Sequence, residues 1–344
     1  MHRPPLPSKS RLALSLSTAL LGATGCFGAS SASSPSGPAS DAASMDGPAP
    51  AFDAGVPDSG PAVAFDGGPG CLPLTAQGGL SPSAEGLPAD GLVLWLRSDQ
   101  GVYAAPSDGG PASTDAGTIA AVCAWADVSG NGWVLQNQTG MLPTWQPAGV
   151  GGDRPSIEFA STMEALQTSG VLGISPTSPR TLIAVDSLIN TDGRFEPIAQ
   201  GQTGSPGTYL MIDENPYETT GNLEGVYMTS NAFDTALATV AFGTNVHIYT
   251  ISAMTIGTPI VDSVEYRVNG APQTLTLLPG GSDGTFQDFS AANFTAVGAS
   301  FTSSTGAGPD ARVAEVLVYD RALSVAERAS VQSTLAGRYA PGIQ

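Results

Sequence analysis

Ser263-Val264-Glu265-Tyr266-Arg267-Val268 runs directly into Asn269-Gly270. Apolar side chains at 264, 266 and 268 alternate with polar ones, the two-residue period of a strand with one buried face. Asn-Gly tolerates two successive positive φ angles, so the stretch reads as the first arm of a β-hairpin. Its return arm is expected at residues 274–278. Short β-type runs recur on both sides of this hairpin, at 92–96, 181–185, 209–212, 225–228, 239–242, 247–251, 294–297 and 313–319. Gly, Pro, Asn, Asp and Ser clusters separate them. Strands at this spacing without helices between them predict an all-β antiparallel sandwich of two sheets, not a set of βαβ units.

One helix is expected, at the C-terminal end. Ser324-Val325-Ala326-Glu327 fits a capping box, in which the Ser hydroxyl takes the N3 amide and the Glu reaches back to the cap. Val325, Ala329, Leu335, Ala336 and Tyr339 form the apolar stripe expected to lie on the sandwich, with Arg328 and Gln332 interrupting it. Pro341 ends it.

The N-terminal residues read as an address. Arg3, Lys9 and Arg11 precede an apolar run over residues 12–21, the anatomy of an export signal and too short to span a bilayer. Leu21-Gly22-Ala23-Thr24-Gly25-Cys26 resembles a bacterial lipobox, which would make Cys26 the acylated first residue of the mature chain. Residues 1–25 are then a signal peptide of lipoprotein type. An ordinary secretory signal cleaved near Ala29 is the alternative. From Phe27 to Gly70, 33 of 44 residues are Ala, Ser, Pro or Gly. Such a composition buries too little apolar surface to offset chain entropy, so residues 26–75 are expected to be a disordered tether and 76–344 the folded domain.

The chain of 344 residues carries 12 Lys+Arg against 30 Asp+Glu, a formal charge of −18. Cleavage before Cys26 leaves nine Arg against the same 30 acids, a net −21. That balance opposes binding to nucleic acid, because phosphate neutralisation needs a basic face. Contact with a membrane is expected only through the lipid anchor. Cys71 and Cys123 are an even pair in an exported chain, and a disulfide is the default expectation.

Residues 92–99 (LVLWLRSD), 125–132 (WADVSGNG) and 313–323 (VAEVLVYDRAL), in this order, together resemble the LamG-like jellyroll domains of the concanavalin A-like lectin/glucanase superfamily. The resemblance implies a jellyroll sandwich in which the first and last strands are neighbours. It also implies carbohydrate binding or adhesion on exported bacterial proteins, with calcium in some members and glycosidase activity in some relatives. Adjacency of those strands would make Arg97 and Glu315 a cross-strand ion pair.

Three kinds of site residue follow. Exposed aromatics stack on sugar faces, which singles out Trp133, Trp145 and Tyr217. Tyr217 stands in Asp213-Glu214-Asn215-Pro216-Tyr217-Glu218, where Asp213 and Asn215 add the polar groups of a ligand site. Asp127 and Asn131 have two readings, as caps of a glycine turn or as oxygen ligands for Ca²⁺. Glycoside hydrolysis needs two carboxylates at about 5–9.5 Å. Asp213-Glu214 and Glu315/Asp320 would face opposite ways on a regular strand. His247 lies in an apolar run and reads as a packed histidine. The expected role is therefore non-catalytic binding at a cell surface, with glycan as the leading ligand. A glycoside hydrolase or lyase with an unrecognised carboxylate pair is the first alternative, and an adhesion module without a small-molecule site the second.

Overall fold

The computed structural model describes residues 70–106, 119–137, 140–151, 153–160, 164–169, 172–175, 178–190, 195–201, 209–214, 224–229, 233–238, 245–253, 260–277, 294–298, 310–339 and 343. They lie in one compact unit, Gly55–Gln344. The fold is an all-β sandwich in which every strand-to-strand ladder is antiparallel, with a helix at Val325–Tyr339.

The first sheet runs, neighbour by neighbour, through Ala271–Gln273, Val264–Val268, His247–Ala253, Arg180–Leu188 and Ala311–Tyr319. The far side of Ala311–Tyr319 is shared end to end by Leu92–Arg97 and Arg154–Phe159, and Thr144–Val150 follows the latter. The second sheet runs from Leu72–Pro73 through Val102–Ala104, Ala120–Ala126, Val134–Asn137, Ala165–Ser169, Phe294–Gly298 and Phe195–Gly201. It continues through Tyr209–Glu214, Glu224–Thr229 and Phe233–Ala238 to Thr276–Leu277. Ala120–Ala126 belongs to both sheets, because Ala120 and Ala121 also pair with Trp145 and Thr144. Runs at 239–242 and 278 fall outside the described residues.

The first sheet is covered on both faces, which explains why its strands are apolar almost throughout. Leu94, Leu96, Leu182, Ala184, Tyr249, Ile251, Val316 and Val318 pack between the sheets. Leu92, Trp95, Ile183, Val185, Ile248, Leu317 and Tyr319 face the other way, against the helix residues Val331, Leu335 and Tyr339. Burying each such aliphatic side chain is worth roughly 1.5–3 kcal/mol. The strand expected to come first, Leu92–Arg97, is a neighbour of the last, although Leu72–Pro73 precedes it in the other sheet: Arg97 lies opposite Glu315, Leu96 opposite Val316 and Leu92 opposite Tyr319.

The hairpin forms with an earlier return arm than expected. Asn269 and Gly270 take φ of 49° and 80°, and Ala271–Gln273 pairs back on Tyr266–Val268. Thr276–Leu277 instead crosses to the second sheet. The capping box is present: Glu327 N–H donates to Ser324 Oγ (3.3 Å), and Ser324 N–H donates to Glu327 Oε2 (2.8 Å). The helix is rotated from the expected stripe. Val325 is 68% exposed and Ala329 is exposed, whereas Arg328 and Val331 are buried. Arg328 turns inward because the first sheet supplies it a partner, Glu265 Oε2 at 2.7 Å, and the Leu323 carbonyl accepts a second bond.

Three sheet borders carry proline: Pro272 in Ala271–Gln273, Pro147 where Thr144–Val150 runs on past its last two-sided pair, and Pro73 in Leu72–Pro73. Proline lacks the N–H that a border strand would offer to a further strand.

Candidate functional site

Asp127 follows the Ala120–Ala126 strand and anchors a knot of turns. Its Oδ1 accepts the backbone N–H groups of Trp95 (2.8 Å) and Ser129 (2.9 Å). Its Oδ2 accepts the Ser129 hydroxyl (2.8 Å) and the Asn131 backbone N–H (3.0 Å). Asn131 then donates its side-chain amide to the carbonyls of Leu92 (2.9 Å) and Val93 (3.2 Å). The structure thus brings Asp127 and Asn131 together, through Ser129, on the start of the first strand. Burial raises the Asp127 pKa, against the opposing hydrogen bonds from Ser129, Trp95 and Asn131. A calcium ion needs lone pairs aimed at a shared centre. Here four donors occupy the carboxylate, so the pair does not fit a cation, and the turn reading replaces the calcium reading. Among the described residues, no group of three or more His, Cys, Asp or Glu side chains could hold a metal ion.

The second cluster corrects the expected Arg97–Glu315 pair. The two residues are opposite in register, but each charge is answered elsewhere. Glu315 is fully buried beneath the helix. Its Oε1 accepts from Trp95 Nε1 (2.7 Å) and Arg338 Nη1 (2.5 Å), and its Oε2 accepts from Tyr339 Oη (2.9 Å). Arg338 Nη2 continues to Glu85 Oε2 (3.0 Å), which also takes Arg97 Nη1 (3.1 Å). Arg97 ends the chain with a two-pronged contact to Asp99, at 3.0 and 2.7 Å. Five charges therefore alternate in sign across the first strand, the last strand, the short Ser83–Glu85 helix and the C-terminal helix. Burial works against the Arg97 cation, but the Asp99 hydrogen bond and the charges of Asp99, Glu315 and Glu85 outweigh it and raise its pKa. Tyr339 is raised well above the ordinary phenol range, by burial first and by Glu315 second. This closed network binds elements together, and Glu315 offers no carboxylate to a substrate.

The aromatic candidates separate. Trp133 and Trp145 are half-buried and pack on the inter-sheet core. Trp145 is in a strand, not a loop, and its Nε1 donates to the Ser98 carbonyl (2.8 Å). Trp125 does the same to Arg97 (2.9 Å). With Trp95 on Glu315, three indoles fasten the end of the first strand. Asp213 lies in Tyr209–Glu214, opposite Gly225. Asn215 and Tyr217 lie outside the described residues, as does Cys26.

A polar group between the sheets has no counterpart in the sequence reading. Arg180 is fully buried and reaches across to Gln200 Oε1 (3.2 Å), whose amide meets Thr295 Oγ1 (3.3 Å). Burial lowers the Arg180 pKa to about 10. At the other end of the same strand Asp186 is buried opposite His247, and Glu196 is buried in the facing sheet. His247 Nδ1 is 2.7 Å from Tyr249 Oη, and burial lowers the His247 pKa. The available signal was parity, since positions 180 and 186 share a face with Leu182, Ala184 and Leu188.

Cys71 and Cys123 form a disulfide, 52 residues apart with Cα atoms at 6.4 Å. No described helix is long and apolar enough to cross a membrane.

No family model matches the chain. No curated protein matches it either. Among solved structures, the sialidase of Trypanosoma rangeli is similar at 12% identity and a TM-score of 0.42, over 72% of this chain and 33% of that one. The botulinum neurotoxin serotype D binding domain matches at 8% identity and 0.46, over 72% and 51%. The binding domain of Paraclostridial Mosquitocidal Protein 1 matches at 12% and 0.45, over 72% and 53%. This chain spans from a third to about half of those chains, and similarity of this degree assigns neither family nor ligand.

Proposed function

We propose that the chain is an exported, lipid-anchored cell-surface protein whose LamG-like sandwich binds carbohydrate without catalysis. Acylated Cys26 would anchor it, and the Ala/Ser/Pro/Gly-rich stretch up to residue 70 would hold the domain off the membrane, because Cys71 and Leu72–Pro73 already belong to the sandwich. The observation that carries the reading is the pairing of Leu92–Arg97 with Ala311–Tyr319, the strand adjacency that the family resemblance requires. The Cys71–Cys123 disulfide supports export, because such bonds persist in oxidising compartments. The closed partnering of Glu315 supports binding over hydrolysis by the Glu315/Asp320 pair. Sugar contact falls to the Asp213, Asn215 and Tyr217 segment, since Trp133 and Trp145 are committed to the core. That same commitment favours a second reading, an adhesion module that grips a protein partner and has no sugar site.

A glycan array probed with the purified chain, with and without chelator, tests the proposal. Binding that survives chelation and is lost in Tyr217→Ala supports it. Silence across the array, with Tyr217→Ala and the parent alike, leaves adhesion in its place. Mass spectrometry of the mature N-terminus tests the anchor, and an unacylated Ser or Ala start removes it.

A further inference from the structure

The N-terminal side of the domain is attached in two ways of unequal strength. The ribbon that begins at Leu72 is held along one side only. Leu72 and Pro73 pair with Ala104 and Tyr103, Leu74 N–H donates to the Val102 carbonyl (2.9 Å), and the Ala76 carbonyl accepts from Gly101 (2.9 Å). Leu80 N–H reaches the Val128 carbonyl at 2.7 Å. Each such bond is worth about 1 kcal/mol net, and a pull on residue 70 would meet them one after another.

Cys71 stands ahead of all these bonds, and its disulfide leads to a different place. Cys123 is in the middle of Ala120–Ala126, the strand shared by both sheets. That strand pairs with Val102–Ala104 on one side and Val134–Asn137 on the other, and with Thr144 and Trp145 at its start. Val122 and Trp125 on either side of Cys123 are fully buried. A strand held along both flanks yields only when several ladder bonds and buried side chains give way together.

We infer that the Cys71–Cys123 bridge is a tension clamp. Resting on the tethered-domain reading, pull arriving from the N-terminal side crosses the disulfide into Ala120–Ala126, and the ribbon from Leu72 to Leu80 carries none of it. Without the bond, the same pull strips the ribbon back to the Ser83–Glu85 helix, where Glu85 is held by Arg97 and Arg338 and Leu87 is buried.

Optical tweezers on the mature chain test this. One handle is coupled to the free Cys26 thiol of unacylated chain, produced without residues 1–25 and with the bridge formed, and the other to an azide-bearing phenylalanine replacing Asp153, which is exposed in the turn before Arg154–Phe159. With the bridge intact, the trace should show only smooth stretching of the tether, with no step, before the domain ruptures. In Cys71→Ser/Cys123→Ser, an early step should appear at lower force. Freeing about 10 residues gives a step on the order of 35 Å at ~3.5 Å per residue. An early step in the intact chain, or none in the double variant, overturns the clamp. Amide exchange of the unloaded double variant guards against simple unfolding. Protection retained at residues 94–96 and 316–318 is expected, and its loss makes the bridge a staple for the whole fold, which also overturns the clamp. Neither readout involves sugar, so a silent glycan array would retire the ligand and leave the clamp standing.

Discussion

The two ends of the domain dock side by side and are secured by different chemistry. The N-terminal segment is fixed by one covalent bond at Cys71 and a single-sided ladder. The C-terminal helix has no covalent tie; it rests on Val331, Leu335 and Tyr339 and on the buried carboxylate of Glu315. Glu85 and Arg338 join the two ends at 3.0 Å, and Thr334 Oγ1 donates to the Gly86 carbonyl at 3.2 Å. The comparison teaches that one end withstands loss of many weak contacts, whereas the other depends on a few polar groups staying paired.

The largest break is expected at Glu315. Glu315→Ala strands Arg338, Trp95 Nε1 and Tyr339 Oη in a buried site and should cost about 3–5 kcal/mol in urea unfolding. Glu315→Leu combined with Arg338→Met should recover only part of it, because the apolar pair removes the stranded charge while Trp95 Nε1 and Tyr339 Oη stay unpaired. Failure of the pair to recover would mean the network does more than satisfy itself. Next, Cys71→Ser/Cys123→Ser should lower stability by about 2–4 kcal/mol, for a closed loop of this length. If that loss exceeds the loss from Glu315→Ala, the contrast between the ends reverses.

Ser324→Ala removes only a cap and should cost about 1 kcal/mol, read as a small drop in the urea midpoint with unchanged slope. Its partner gives a pH signature. The Arg321 hydrogen bonds, then Ser324, depress the Glu327 pKa from 4.5 to about 2. A depressed carboxylate stabilises the native state above its unfolded pKa, so this contribution is present above about pH 4.5 and is lost as pH falls towards 2. Glu327→Gln should flatten the stability curve across that window, and the effect should shrink in high salt because the pair is partly exposed. The smallest effect is expected at Val325→Ser, within about 0.5 kcal/mol, since that side chain is 68% exposed.

What the sequence revealed follows the same division. The first and last strands, the Asn-Gly turn and the capping box were legible because each depends on residues close in the chain. Arg154–Phe159 and Thr144–Val150 were not, because neither shows clean apolar alternation and each holds a proline in a border or irregular pairing. Trp145, singled out as an exposed aromatic, lies in the second of these strands. The register opposing Arg97 to Glu315 was legible, yet the true partner of Glu315 was not. Arg338 arrives from a helix whose rotation is set by the Arg328–Glu265 contact, 63 residues apart in sequence. The buried group from Arg180 to Thr295 was not legible as a group: parity places Arg180 on the inner face with Leu182 and Ala184, but Gln200 and Thr295 reach it from the facing sheet and no local pattern pairs them with it.

The proline-bearing borders reach beyond a single molecule. A row of unspent amide hydrogens along a strand is what lets one copy of a β-protein recruit the next into a growing ribbon. At Pro73, Pro147 and Pro272 that row is interrupted at its outermost position. Copies packed at high density can therefore jostle along these borders without knitting together.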